Sequence, residues 1–126
     1  MKIGIIGAGM VGVSICNYLM TLGSVSELVL IDRNADKARG EMLDFGHTNA
    51  LTFSKNTRLY GSDDYSHLTD ADVVVITAGA QIKEGQTRLD LADINSRICV
   101  DIARQIEPHA PDAILIVVSN PCDIAA

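Results

Sequence analysis

Cysteine is scarce and poorly placed for chemistry. Cys16, Cys99 and Cys122 form neither an even disulfide set nor a metal-ligand spacing, so all three are read as buried, reduced thiols. Basic residues are also few and scattered. Ten Lys and Arg against sixteen Asp and Glu leave a net charge of −6 without any Lys/Arg cluster, which argues against a nucleic-acid partner. Long apolar runs are missing as well: the longest, at 73–76 and 114–118, are far too short to cross a bilayer. Met1-Lys2 leads straight into an apolar run with no cleavable signal pattern before it. No membrane partner and a cytoplasmic location are therefore expected. No linker, repeat or low-complexity stretch interrupts the chain, and 126 residues with 48% hydrophobic content suffice for one domain with a real core.

What remains is a regular alternation. Strand patterns at 2–6, 27–32, 57–60, 73–77 and 113–118 are interleaved with helix patterns at 10–22, 34–46 and 87–107. Short unbroken apolar runs are the mark of parallel strands covered on both faces. The alternation predicts an α/β fold, a doubly wound parallel sheet of the Rossmann type with strand order 3-2-1-4-5. Asn34 is placed to cap the second helix, whose alternating charges Asp36, Lys37, Arg39 and Glu41 read as a solvated face.

The first strand ends in Gly7-Ala8-Gly9-Met10-Val11-Gly12, and the next apolar run closes on Asp32, twenty positions after Gly12. Strand, glycine turn, helix, strand and acid in that order form the fingerprint of a dinucleotide-binding βαβ unit. Gly7 permits the turn, Gly9 lets a diphosphate approach bare backbone, and Gly12 lets the helix pack closely on the strand. The helix then offers unpaired N–H groups and the positive end of its dipole to phosphate, so no lysine is required. A carboxylate at position 32 accepts hydrogen bonds from ribose hydroxyls and repels a 2′-phosphate, a repulsion that the adjacent Arg33 could soften. NAD is accordingly expected as cofactor rather than NADP.

Two further segments lie where strands end. The fourth strand runs into Thr77-Ala78-Gly79-Ala80 and a polar, glycine-containing stretch, which suits a ligand resting on backbone beneath a lid or, equally, a plain surface connection. The fifth ends at Val118 and leads into Ser119-Asn120-Pro121-Cys122-Asp123, where Asn120 carries both donor and acceptor beside a rigid proline.

Taken together, Gly7-Ala8-Gly9-Met10-Val11-Gly12, Leu30-Ile31-Asp32, Gly40-Glu41-Met42-Leu43-Asp44, Val75-Ile76-Thr77-Ala78-Gly79-Ala80, Gly85-Gln86-Thr87-Arg88-Leu89-Asp90-Leu91 and Ser119-Asn120-Pro121-Cys122-Asp123 resemble the N-terminal half of the L-lactate/malate dehydrogenase family. The resemblance implies a protein that passes hydride between nicotinamide and a small 2-oxo or 2-hydroxy acid. By it, Gly7, Gly9, Met10, Val11 and Gly12 lie along the dinucleotide, Asp32 holds the adenosine ribose, and Lys37 and Tyr65 flank the adenosine portion. Thr77, Ala78, Gly79 and Ala80 line the cofactor path, and Val118, Ser119 and Asn120 meet its nicotinamide end. Arg88 matches the family's loop arginine, which polarises the reacting carbonyl. Asn120 matches a catalytic orienter, and Ile82, Arg88, Asn120 and Asp123 fall on the substrate side. A homodimer or homotetramer is also implied, with helix 34–46 resembling a helix of the subunit contact.

Three departures from the family pattern narrow these expectations. Ile82 stands where lactate enzymes usually carry glutamine and malate enzymes arginine. It would leave a second substrate carboxylate unpaired and favour an aliphatic side chain. Glu84 stands where proline is common, and Cys122 where valine is usual. The family's catalytic histidine, its paired aspartate and its carboxylate-binding arginine would all lie beyond the Asn-Pro motif, and His47, His67 and His109 match none of them. The expectation is thus residues 1–126 of a longer two-domain enzyme, without its sixth strand and substrate domain. The residues leave open malate or branched-chain substrates, and a dinucleotide-binding module that catalyses nothing. An S-adenosylmethionine transferase, which shares the glycine turn and the acid, also stays open.

Overall fold

Residues 1–49, 56–81, 85 and 87–126 are described by a computed structural model. Five parallel strands, β1 (Lys2–Ile6), β2 (Glu27–Ile31), β3 (Arg58–Ser62), β4 (Val73–Ile76) and β5 (Ile114–Val117), form one sheet in the order β3-β2-β1-β4-β5. Helices α1 (Met10–Leu22), α2 (Ala35–Asn49), α3 (Arg88–Ile106) and the short α4 (Cys122–Ala125) connect or follow them, with a 3₁₀ turn at Tyr65–Leu68. The α/β class and the strand order are those expected from the alternation. The chain reverses direction across the sheet between β1 and β4, the topological switch point where sheets of this kind hold ligands.

Strand residues divide between two cores with period two. Ile3, Ile5, Leu28, Leu30 and Val75 pack with Cys16 and Met20 of α1 and with Ala38, Met42 and Phe45 of α2. Ile6, Val29, Ile31, Val74 and Ile76 pack on the other face with Leu68 and with Cys99, Ile102 and Ile106 of α3. A side chain at Gly4 would collide with that of Leu68, so the missing Cβ in β1 is what admits the 3₁₀ turn against the sheet. Asn34 caps α2 as expected, its Oδ1 accepting from the Lys37 N–H at 3.1 Å.

Several boundaries and exposures differ from expectation. Helix α2 continues to Asn49, three residues past the predicted end, and β3 occupies 58–62 rather than 57–60. The 3₁₀ turn was not foreseen: Asp64 caps it by accepting from the Ser66 N–H at 2.8 Å, and this bond holds the Asp64 carboxyl below its usual range. Strands covered on both faces are found at β1, β2 and β4. In β5, an edge strand, Ile114, Leu115 and Ile116 are all exposed, as a dinucleotide-binding unit without its sixth strand and second domain implies. Cys16 and Cys99 are buried free thiols, and burial pushes Cys16 up to about 12. Cys122 is free but exposed, because it opens the short α4 beyond the sheet edge instead of facing a core.

Candidate dinucleotide and substrate site

The glycine turn is built by sterics. Gly7 sits at φ +110°, a conformation other residues adopt only under strain, and a Cβ there would lie 2.9 Å from both the Ala78 nitrogen and Thr77 Oγ1. A Cβ at Gly12 would strike the Gly7 carbonyl oxygen, so the start of α1 and the end of β1 touch backbone to backbone. Thr77 locks the arrangement, its hydroxyl donating to the carbonyls of Ile6 at 3.0 Å and Gly7 at 3.2 Å. That hydroxyl is therefore committed to the turn, although Thr77 also lines the cleft described below.

Helix α1 then begins without protection. Its N-cap is Gly9, no side chain caps it, and its first turn carries no acid. A Cβ at Gly9 would meet nothing within 4 Å. Backbone N–H groups and the positive dipole end thus face open space, which is the provision an anion needs.

Asp32 stands at the end of β2 beside this turn. Its Oδ2 accepts from the Ala8 N–H at 2.7 Å and its Oδ1 from the Asn34 N–H at 2.9 Å. Each carboxylate oxygen retains acceptor capacity after one such bond, so both remain able to receive a hydroxyl. The acid therefore ties the glycine turn to the second crossover as well as facing the cleft. Hydrogen bonds to a charged acceptor are worth about 1.5–3 kcal/mol each. Tyr65 faces the same carboxylate, and burial together with the Asp32 charge raises its phenol.

One cleft of about 880 Å³ runs along these groups. Gly7, Gly9, Asp32, Lys37, Tyr65, Thr77, Ala78, Gly79 and Ala80 line it, nine of the residues singled out by sequence. Arg33 lines it beside Asp32, while Asn34, Gln81 and a wall from α3 were not expected there; the wall includes Ile98, Asp101 and Gln105. Its lining from the glycine turn to Ala80, the uncapped helix and the anchored carboxylate fit an extended, doubly anionic dinucleotide with free ribose hydroxyls.

The other sequence candidates lie around this cleft. Met10, Val11 and Gly12 form the first turn of α1, with Met10 and Val11 exposed. Val118 packs into the α1–α2 core. Ser119 is buried and its hydroxyl donates to the Ala78 carbonyl at 2.6 Å, fastening the ends of β4 and β5 together. Asn120 is exposed, and Asp123 is exposed in the single turn of α4. Arg88 is the exposed first residue of α3 and makes no ion pair among the described residues. Ile82 and Glu84 fall outside the described residues. His47, His67 and His109 do not line the cleft; His67 stacks on Tyr60 with ring centroids 5.8 Å apart.

Sequence reading missed Asn95. It is 2% exposed on the buried stripe of α3 that also carries Ala92, Cys99, Ile102 and Ile106. Its Oδ1 accepts from the Ala80 N–H at 2.7 Å and its Nδ2 donates to the Asn120 carbonyl at 2.6 Å. The signal available in the sequence was an amide on an otherwise apolar helical face.

The sequence profile of the family described as lactate/malate dehydrogenase, NAD binding domain, matches residues 1–126. Among curated relatives, an L-lactate dehydrogenase of Deinococcus radiodurans is 45% identical over 124 residues, covering 98% of this chain and 40% of its own length. L-lactate dehydrogenase 1 of Clostridium acetobutylicum is 46% identical over 123 residues, covering 98% of this chain and 38% of its own. Among solved structures, a malate dehydrogenase of Archaeoglobus fulgidus in complex with NADH superposes with a TM-score of 0.90 at 40% identity, over 96% of this chain and 41% of that one. A minor L-lactate dehydrogenase of Enterococcus mundtii gives 0.87 at 41% identity, over 95% and 38%. The chain spans about two fifths of the length of these relatives. Among the described residues no helix is long and apolar enough to cross a membrane.

Proposed function

The chain belongs to the lactate/malate dehydrogenase family as its NAD-binding domain, and from that premise we propose that the protein is an NAD-dependent L-2-hydroxy-acid dehydrogenase of the lactate type. The observation that carries this reading is the uncapped start of α1 joined through Ala8 to the Asp32 carboxylate along a single cleft. The backbone at Gly7, Gly9, Met10, Val11 and Gly12 binds the diphosphate, and Asp32 accepts the adenosine ribose hydroxyls. Lys37 and Tyr65 flank the adenosine, while Thr77, Ala78, Gly79 and Ala80 form the wall leading to the nicotinamide end at Val118, Ser119 and Asn120.

When bound, the nicotinamide supplies or accepts the hydride. Arg88, always charged and free of an ion pair among the described residues, polarises the 2-oxo group as negative charge develops on its oxygen. The Asn120 carboxamide orients that oxygen, and Asp123 lies on the same side. Proton transfer needs an acid/base from outside these residues, since none of the three histidines lines the cleft. Ile82 accepts an aliphatic substrate side chain and rejects a second carboxylate. Residues 1–126 are the dinucleotide-binding part of a longer, cytoplasmic, homodimeric or homotetrameric enzyme, with α2 at a subunit contact.

A malate substrate is the second reading, favoured by the similarity to the Archaeoglobus fulgidus malate dehydrogenase. Steady-state kinetics of the full-length enzyme on pyruvate, oxaloacetate and branched 2-oxo acids decide between them. The lactate reading expects pyruvate or a larger aliphatic 2-oxo acid as the better substrate; efficient turnover of oxaloacetate alone overturns the role given to Ile82.

A further inference from the structure

We infer that Asn95 is a positioning residue, one amide on α3 that fixes the distance between the cofactor wall at Ala80 and the substrate-orienting loop at Asn120. The inference rests on the proposed function for its catalytic meaning, and on geometry for the tie itself.

An amide buried to 2% on an apolar helical stripe is unfavourable unless its polar atoms are satisfied. Here Oδ1 and Nδ2 are each paired by a short bond, and both partners are backbone groups from different loops. Turning the amide over would set its NH₂ against an N–H and its oxygen against a carbonyl, so the partners themselves dictate the orientation. Gly79 allows the approach: a Cβ there would stand 3.3–3.5 Å from the Asn95 amide atoms. The partners follow the carboxyl ends of β4 and β5, neighbouring strands whose tips are also linked by Ser119 to Ala78. Asn95 lies about two helical turns beyond Arg88 on α3. The helix that starts at Arg88 therefore holds both Ala80 and Asn120, and three groups of the proposed reaction share one reference point. A side chain that merely filled the space would leave the Ala80 N–H and the Asn120 carbonyl without this partner and would not set the distance.

The test uses the full-length enzyme with Asn95→Leu, which has the same branching but is larger and unable to hydrogen-bond, and Asn95→Asp. Asn95→Leu is expected to lower kcat about 10- to 100-fold while KM for NADH stays within about threefold, because misplacement weakens chemistry more than binding. Amide exchange at Ala80 should accelerate while that of β1 and β4 does not. In Asn95→Asp the ionised carboxylate faces the Asn120 carbonyl, and only the protonated form restores the donor. Its kcat relative to the unsubstituted enzyme should therefore recover as pH falls. A flat ratio across pH, or Asn95→Leu with kcat within about twofold of the unsubstituted enzyme, overturns the inference. If Asn95→Leu does not fold, the pH series on Asn95→Asp carries the decision. If the unsubstituted enzyme binds NADH but turns over no 2-oxo acid, the proposed function fails instead. The tie is then decided by Ala80 exchange, supported if it accelerates in Asn95→Leu or if its rate relative to the unsubstituted protein changes with pH in Asn95→Asp, and overturned if neither variant changes it.

Discussion

Helices α1 and α3 both start at the carboxyl edge of the sheet, yet their first turns are opposites. Helix α1 has Gly9 as its N-cap, no capping side chain and no acid in its first turn. Helix α3 begins with a complete capping box: Asp90 N–H donates to Thr87 Oγ1 at 3.2 Å, and Thr87 N–H donates to Asp90 Oδ2 at 2.9 Å. One start is self-satisfied and carries its own negative charge, whereas the other keeps its donors and dipole for something else. Asp90 also bears on Arg88. A cation at a helix N-terminus is disfavoured by the dipole, but an acid two residues on offsets it, so Arg88 remains available at the helix start without a partner among the described residues.

Four substitutions sharpen or break this contrast. Arg88→Gln in the full-length enzyme should lower kcat about 10²- to 10³-fold, as loss of one stabilising donor does, with the melting temperature unchanged; unaltered kcat would remove Arg88 from the mechanism. Gly9→Asp gives α1 the kind of cap that α3 has. Its Cβ enters open space at φ −81°, so the fold should persist, while a negative charge against the diphosphate should weaken NADH binding about 100-fold by calorimetry. Asp32→Asn should weaken NADH binding about tenfold and lower the melting temperature, because the carboxylate both faces the ribose and anchors Ala8 and Asn34. Thr87→Ala should reduce stability by about 1 kcal/mol and leave NADH affinity alone, since that cap serves only its own helix.

The capping box also has a pH signature, smaller than any of these. Hydrogen bonds from Thr87 lower the Asp90 carboxyl below its ordinary 3.8. A group depressed in the folded state contributes stability that is present above the ordinary value and lost as pH falls through the folded-state value. Protection of the first amides of α3, relative to their intrinsic exchange at each pH, should therefore fall below about pH 4, and a box that survives further acidification would contradict the assignment.

Much of this was legible in the sequence because it rests on local rules. Short unbroken apolar runs alternating with helical patterns point to the strand order, and the glycines and Asp32 mark the turn by steric and charge requirements that few alternatives meet. Asn34 as a cap follows from its position alone. Non-local features were harder to read. The dual duty of Asp32 depends on Ala8, 24 residues away in sequence, and Asn95 bridges loops that only the sheet brings together.

The contrast between the two helix starts is tested most directly by amide chemical shifts of the ¹⁵N-labelled protein titrated with NAD. Met10, Val11 and Gly12 amides should move markedly on saturation while the Asp90 amide, already paired with Thr87 Oγ1, stays in place. Shifts confined to the start of α3, with Met10 to Gly12 unmoved, would show that the bare end of α1 does not receive the diphosphate.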